Sequence, residues 1–140
     1  TASNPITLPV QVGEVLTFLG YRPVGSSVKA GEEFTIQTYW QITTDAPSSN
    51  LSLMAHLLKE DGTPIAVGDG LGVPTEQWTA GAILIQSHWF TISPDAPAGS
   101  YWLQFGAYTL PDMGRLPILD DQNESLGDRV LAGQVEVKAP

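Results

Sequence analysis

Aromatic side chains set among amides and hydroxyls are the residues of this sequence whose chemistry points to a ligand. Flat aromatic rings stack on the apolar faces of sugar rings, and neighbouring amides and hydroxyls bond sugar hydroxyls, so this mixture is typical of a glycan-binding surface. Period-two alternation along predicted strands directs six candidate side chains outward. They are Tyr39, Trp89, Trp102, Tyr108, His56 and Gln104.

The six candidates fall on two predicted faces. Tyr39 and Trp89 share one face with glutamines, serine and threonine, while the other four share the second face with Met54 and Leu58. Aromatic residues also stabilise cross-strand packing on any exposed strand pair, which is an alternative for the first face. For the second face, a covering loop such as 71–82 or 111–127, another domain or a second copy are the alternatives.

The residue patterns needed for catalysis are missing from the sequence. The two histidines, His56 and His88, lie in predicted strands and form no ligand pair, and the chain has no cysteine and no glycine-rich phosphate loop. We therefore predict a protein that is not an enzyme, with no catalytic residue and no cofactor.

An acidic run at residues 120–124 is the one candidate for a metal. Asp120, Asp121 and Glu124 supply the oxygen ligands that calcium prefers. Their spacing does not match an EF-hand loop, which needs alternate ligands, a central glycine and a terminal glutamate. We therefore interpret the run as a solvated turn, with a calcium site as the alternative.

Composition and charge exclude several classes of protein. Hydrophobic residues make up 42% of the 140 residues and charged residues only 15%, which is too apolar for a disordered chain. The net charge of −9 would repel phosphate backbones and anionic membranes, so we predict no nucleic-acid partner. No apolar run approaches the roughly 18 residues of a membrane span, so we predict no direct span.

The sequence pattern predicts a succession of short strands. Apolar alternation and turn residues predict seven strands, beginning near residues 15, 34, 51, 65, 83, 100 and 129. We predict an all-β fold, an immunoglobulin- or fibronectin-III-like sandwich of seven to eight antiparallel strands. By analogy with that topology, we expect the strands beginning near 15, 34 and 83 to form one sheet and the remainder to form the other. Residues 1–9 are interpreted as an arm or linker, and residues 10–140 as a single domain.

Three positions test this arrangement. Trp40 and Tyr101 should point into the core, and the Tyr101 hydroxyl should bond the turn at 94–99, as in a tyrosine corner. A buried His88 beside Phe90 is unfavourable, so a β-bulge is expected near residues 86–88.

Several stretches resemble a known family. They are residues 15–21 (VLTFLGY), 28–31 (VKAG), 39–40 (YW), 55–57 (AHL), 94–108 (PDAPAGSYWLQFGAY) and 127–130 (GDRV). Together they resemble the extracytoplasmic sandwich domain that follows the membrane part of some Chloroflexi-type, dolichyl-phosphate-mannose-dependent mannosyltransferase-like glycosyltransferases. The resemblance covers about residues 12–137 and implies fold and location. The catalytic membrane part of those enzymes has no counterpart here.

The leading hypothesis for function is a non-catalytic, extracytoplasmic accessory domain that binds a polysaccharide or other glycan and supports a cell-surface carbohydrate-active system. It would be secreted or displayed at the cell surface, anchored through a segment outside this sequence. The alternative is a structural or protein-interaction module that packs on an adjacent domain of a larger chain or on a second copy.

Overall fold

A computed structural model describes residues 7–23, 27–47 and 50–140. These residues form ten β-strands and one 3-10 turn at Thr75–Gln77. The strands are β1 (Val10–Val12), β2 (Leu16–Pro23), β3 (Ser27–Lys29), β4 (Glu33–Ile42), β5 (Leu51–Leu58), β6 (Pro64–Val67), β7 (Ile83–Thr91), β8 (Gly99–Thr109), β9 (Ile118–Leu119) and β10 (Val130–Lys138). In the described ranges, no helix is long and apolar enough to cross a membrane.

The strands form two sheets of five. Sheet A has the order β7-β4-β2-β1-β9, and sheet B has the order β3-β10-β8-β5-β6. Neighbouring strands are antiparallel except β3 and β10, which are parallel. The predicted all-β fold is confirmed, and so is the division of the seven predicted strands between the sheets.

The interior is filled by side chains of alternate parity from both sheets. Trp40 is fully buried and Tyr101 is 5% exposed, as predicted. Phe18 joins the layers, because its ring centroid lies 4.7 Å from that of Trp40 on sheet A and 5.4 Å from that of Phe105 on sheet B. Each such aromatic contributes a few kcal/mol through burial, about 25 cal/mol per Å² of apolar surface.

The predicted tyrosine corner is present. The Tyr101 hydroxyl donates a hydrogen bond to the Pro97 carbonyl, four residues earlier in the turn between β7 and β8. This bond fixes the turn to the first residues of β8.

The predicted count of seven or eight strands is too low. The seven predicted strands do not include β1, β3 or β9. Strands of two or three residues are too short to show a period of two. Two of their pairings also join segments that are far apart in the sequence, β1 with β9 and β3 with β10. Of the predicted arm, residues 1–6 lie outside the described residues.

The bulge expected near residues 86–88 is absent. Pairing of β4 with β7 is continuous from Glu33 and Thr91 to Gln41 and Ile83. The irregularities lie instead in β2, between Phe18 and Gly20, in β10, between Leu131 and Gly133, and in the pairing of β5 with β6, at Leu57 and Leu58.

His88 avoids a bulge because its ring has polar partners inside the core. Its Nε2 lies 2.8 Å from the Thr38 hydroxyl oxygen, which itself accepts a 2.8 Å hydrogen bond from Trp40 Nε1. The Gly68 carbonyl can only accept, so Nδ1 donates to it at 2.7 Å, and Nε2 of the neutral ring accepts the Thr38 hydroxyl proton. Burial lowers the pKa of His88, which keeps the ring neutral.

Candidate ligand-binding face

The outer face of sheet B brings together four of the six predicted residues. His56 pairs with Gln104 and Leu58 pairs with Trp102 across β5 and β8, and Tyr108 pairs with Ser52 further along the same strands. Directly opposed residues of an antiparallel ladder project from the same side, so these side chains share one surface. We call this surface, together with Asp69 and Arg129, the sheet B face.

Hydrogen bonds join these side chains into one continuous chain. Arg129 Nη1 donates to Gln104 Oε1 at 2.9 Å, and Gln104 Nε2 lies 3.0 Å from His56 Nδ1. His56 Nε2 lies 3.1 Å and 3.4 Å from the two Asp69 oxygens. The Tyr108 hydroxyl also donates to Asp69, at 3.0 Å. The array therefore crosses from the start of β10 over β8 and β5.

The hydrogen bond from Arg129 fixes the direction of the other hydrogen bonds in this chain. Gln104 accepts from the Arg129 guanidinium through its oxygen, so its amide nitrogen must donate to His56 Nδ1. His56 then carries its proton on Nε2 and donates to Asp69. The amide and the ring are thereby held in one orientation.

Asp69 reaches this face from the segment that follows β6. Its Oδ1 accepts the Ala55 backbone N–H at 2.9 Å, and Gly70 forms an isolated bridge with Leu53. Burial raises the pKa of Asp69, but the hydrogen bonds from His56, Ala55 and Tyr108 outweigh it, so the pKa is lowered overall and the group is a carboxylate at neutral pH. Burial and the neighbouring carboxylate raise the pKa of Tyr108.

Sequence reasoning missed Asp69 and Arg129. Asp69 stands between two glycines after a short strand, a pattern that also marks an ordinary turn. Arg129 opens the last predicted strand, where an exposed cation is common. Both residues join the hydrogen-bonded array only because β5, β8 and β10 are neighbours in sheet B.

Four side chains of this face are buried where exposure was expected. Met54, Leu58, Gln104 and Tyr108 are 1%, 2%, 3% and 8% exposed, although they project from the outer side. Met54 lies over Gly106, since a Cβ at that glycine would stand 3.0 Å from the Met54 terminal methyl carbon. The apolar groups that stay accessible around the array are Trp102 at 37%, Leu131 at 40% and Val67 at 54%.

The other two predicted residues lie on the outer face of sheet A and do not meet. Tyr39 pairs with Ile85 and Trp89 with Thr35, so one same-face row, Gln37 and Ser87, lies between the two rings, which are about 13 Å apart along the strands. Tyr39 is half-buried and its hydroxyl donates to Gln37 at 3.1 Å, whereas Trp89 is 60% exposed. Ile83 and Ile85 are also more than half exposed, so this face is mixed, with exposed apolar side chains along β7 and the polar side chains of Thr35, Gln37 and Gln41 along β4.

The acidic run forms a turn. Asp120 Oδ1 accepts the backbone N–H groups of Gln122 and Glu124, both at 2.9 Å, and the Asp120 N–H donates to the Glu124 carbonyl. Its carboxylate is thus used in local structure. Among residues 7–23, 27–47 and 50–140, no three histidine, aspartate or glutamate side chains are grouped as metal ligands.

Comparison with known proteins identifies the fold. No protein-family model matches the chain, and no curated protein matches it by sequence. Among solved structures, the C-terminal domain of wzt superposes with a TM-score of 0.63 at 12% identity, over 94% of this chain and 78% of that one. The chain has a β-sandwich fold. A CARDB domain from Pyrococcus furiosus, solved in complex with di-metal ions, superposes with a TM-score of 0.52 at 11% identity, over 93% of this chain and 100% of that one.

At such low identity these similarities extend to the fold alone. No sequence comparison links the chain to mannosyltransferase-like enzymes.

Proposed function

We propose that this protein is a non-catalytic accessory domain that binds a glycan on the sheet B face. The observation that carries the proposal is the ordered chain of donors and acceptors from Arg129 to Asp69, beside the partly exposed ring of Trp102. An oriented polar array next to an aromatic surface is what recognition of a sugar requires, because sugar hydroxyls need directed partners and sugar rings need an apolar surface.

The array is preorganised for this task. Gln104 is 3% exposed, and the Asp69 and His56 side chains retain 17% and 13% exposure, so a ligand would meet the edges of groups already held in place. Little side-chain entropy would then be lost on binding. Gln134 lies opposite Trp102 and adds an exposed amide beside the ring.

The fold and the family resemblance support an accessory role for this domain in a larger protein. A chain that superposes over most of its length on two isolated domains is well suited to accessory use in a larger protein. We propose an immunoglobulin-like variant, supported by the β7-β4-β2 and β10-β8-β5 arrangements and by the tyrosine corner. We also propose an extracytoplasmic location beside a carbohydrate-active system, with no enzymatic activity of its own.

A titration with polysaccharides, followed by tryptophan fluorescence and calorimetry, tests the glycan proposal. Trp102→Ala should weaken binding about fivefold or more, because stacking on an aromatic ring contributes about 1–3 kcal/mol. Trp89→Ala, which removes the exposed ring of the opposite face, is the matched control and should leave the affinity unchanged. Unchanged affinity in Trp102→Ala, or no binding of any polysaccharide by the wild-type protein, would contradict the proposal.

A protein-interaction module is the second candidate, and one observation favours it. Ile83, Ile85 and Trp89 are each more than half exposed along one face of the edge strand β7. Exposed apolar edge strands commonly mark contact with another chain. Sedimentation of the wild-type protein and of Ile85→Glu over a range of concentrations would reveal self-association, which the added charge should abolish.

A further inference from the structure

We propose, building on the function proposed above, that the glycan bound on the sheet B face is acidic and that the Arg129 guanidinium binds a sugar carboxylate. The proposal concerns the class of ligand, so it can fail while glycan binding itself stands.

Arg129 has unused capacity to bind an anion. Among the described residues, its side chain makes one hydrogen bond, to Gln104 Oε1, a neutral acceptor, at 2.9 Å. Within the described part of the chain, no carboxylate lies within ion-pair distance of Arg129, since the ion pairs there join His56 to Asp69, Arg115 to Asp128 and Lys138 to Glu136. Its remaining N–H donors therefore lack a charged partner in a protein of net charge −9.

The adjacent acidic residue is directed elsewhere. Asp128 Oδ1 lies 3.6 Å from Arg115 Nη1, so the nearest carboxylate in sequence pairs with a different guanidinium. The only carboxylate in the hydrogen-bonded array is Asp69, at its far end, where His56, Tyr108 and the Ala55 N–H contact it. Positive charge and negative charge thus lie at opposite ends of the same face.

The guanidinium is also oriented. His56 fixes the Gln104 amide, and the amide oxygen then holds one Arg129 nitrogen. A guanidinium is a planar fork that binds a carboxylate through two parallel hydrogen bonds, and holding it in advance reduces the entropy lost on binding.

Trp102 and Arg129 are placed to act on one ligand. Trp102 and Gln104 project from the same side of β8 two residues apart, about 7 Å, and Gln104 contacts Arg129 directly. A sugar ring stacked on Trp102 would therefore place its own substituent, or that of the next sugar, near the guanidinium. A carboxylate is the sugar substituent that can form an ion pair with this guanidinium.

Calorimetric titration with oligogalacturonate and with its methyl ester, at an ionic strength that screens the net charge of −9, tests this inference on the intact wild-type protein. The acid should bind at least tenfold more tightly than the ester, because only the acid can form the ion pair. In Arg129→Gln, the acid and the ester should bind with equal affinity. In Arg129→Lys, which keeps the positive charge and loses the planar guanidinium, the preference for the acid should be intermediate. Arg22→Gln, at an exposed arginine of β2, is the control and should behave as wild type.

Each outcome decides between the two proposals. If the ester or a neutral polysaccharide binds as tightly as the acid, the inference is overturned and glycan binding stands. If inorganic phosphate displaces the acid and no saccharide binds more tightly than phosphate, the site recognises negative charge alone. Both proposals, glycan binding and the preference for an acidic glycan, then fail. Should Arg129→Gln not fold, as circular dichroism would show, the wild-type comparison of acid with ester still decides.

Discussion

At the scale of the residue, the two histidines show how identical side chains are used differently. His88 is buried in the core between Thr38 and the Gly68 carbonyl, and His56 lies on the sheet B face between Gln104 and Asp69. The residues that partner them, Gly68 and Asp69, are consecutive. The segment 68–70 therefore ties the interior to the proposed binding face.

His88 should make stability depend on pH. Burial lowers its pKa below the ordinary 6.5, so below pH 6.5 the unfolded chain binds a proton that the folded protein does not. Stability should thus be highest above pH 6.5, fall as the pH drops by at most about 1.4 kcal/mol per unit, and level off below the folded pKa. Urea unfolding from pH 8 to pH 5 measures this, and His88→Gln should flatten the decline. An equal slope in the variant would assign the dependence to other groups.

Asp69→Asn should destabilise the protein by about 1–3 kcal/mol. The carboxylate accepts from His56, Tyr108 and the Ala55 N–H, whereas an amide presents an NH2 group to at least one of these donors and leaves it unsatisfied. Chemical denaturation measures the loss. Asp121→Asn, at an exposed position of the acidic turn, is the control, and a similar small effect at both sites would mean that the array contributes little.

At the scale of the element, two connections hold the sheets in place. The corner between β7 and β8 is fixed by Tyr101, and the segment after β6 passes β7 closely as it leaves sheet B. Gln86 fixes the latter connection further by accepting the Gly72 N–H at 2.7 Å. Both connections carry the chain between sheet A and sheet B.

Gly68→Ala tests the close passage beside β7. A Cβ at this position would stand 3.0 Å from the Trp89 carbonyl oxygen and 3.3 Å from the His88 Cβ, and backbone cannot move aside cheaply. We expect a loss of about 1–3 kcal/mol in thermal or chemical unfolding. At Gly72 the nearest atom to an added Cβ is 3.5 Å away, in the Gln86 side chain, so Gly72→Ala should be tolerated. Equal effects would show that crowding is not the cause.

Tyr101→Phe should cost about 1 kcal/mol, the net value of one hydrogen bond, while the ring stays in the core. The lost bond is the one to the Pro97 carbonyl. Unfolding of Tyr39→Phe, which loses an outer-face bond to Gln37, provides the comparison and should change less. A change no larger than that of the control would mean that the corner is held by packing alone.

At the scale of the whole molecule, one core supports two outer faces of different chemistry. The sheet B face is a polar array with one accessible tryptophan, and the outer face of sheet A has exposed apolar side chains along the edge strand β7. Both depend on the same interior, in which Phe18 contacts aromatic rings of both sheets.

Phe18→Ala should lower the free energy of unfolding by about 3–5 kcal/mol, since it removes a fully buried ring and leaves a cavity. This is a large share of the roughly 5–15 kcal/mol of a typical domain. Trp89→Ala removes a ring of similar kind from the surface and should have little effect. A loss below about 1 kcal/mol in Phe18→Ala would contradict the central role of this contact.

Alternation of side chains was sufficient to determine much of this molecule from the sequence. It identified seven strands, the burial of Trp40 and Tyr101, and the outward side of His56, Gln104, Trp102 and Tyr108, because each depends on a local period of two. The division of the strands between the sheets came from analogy with the immunoglobulin topology. The tertiary structure alone decided that Asp69 and Arg129 complete the array, that His88 lies in an unbulged strand, and that Tyr39 and Trp89 stay apart. These outcomes depend on partners 13 to 50 residues distant along the chain, whose positions only the assembled sheets define.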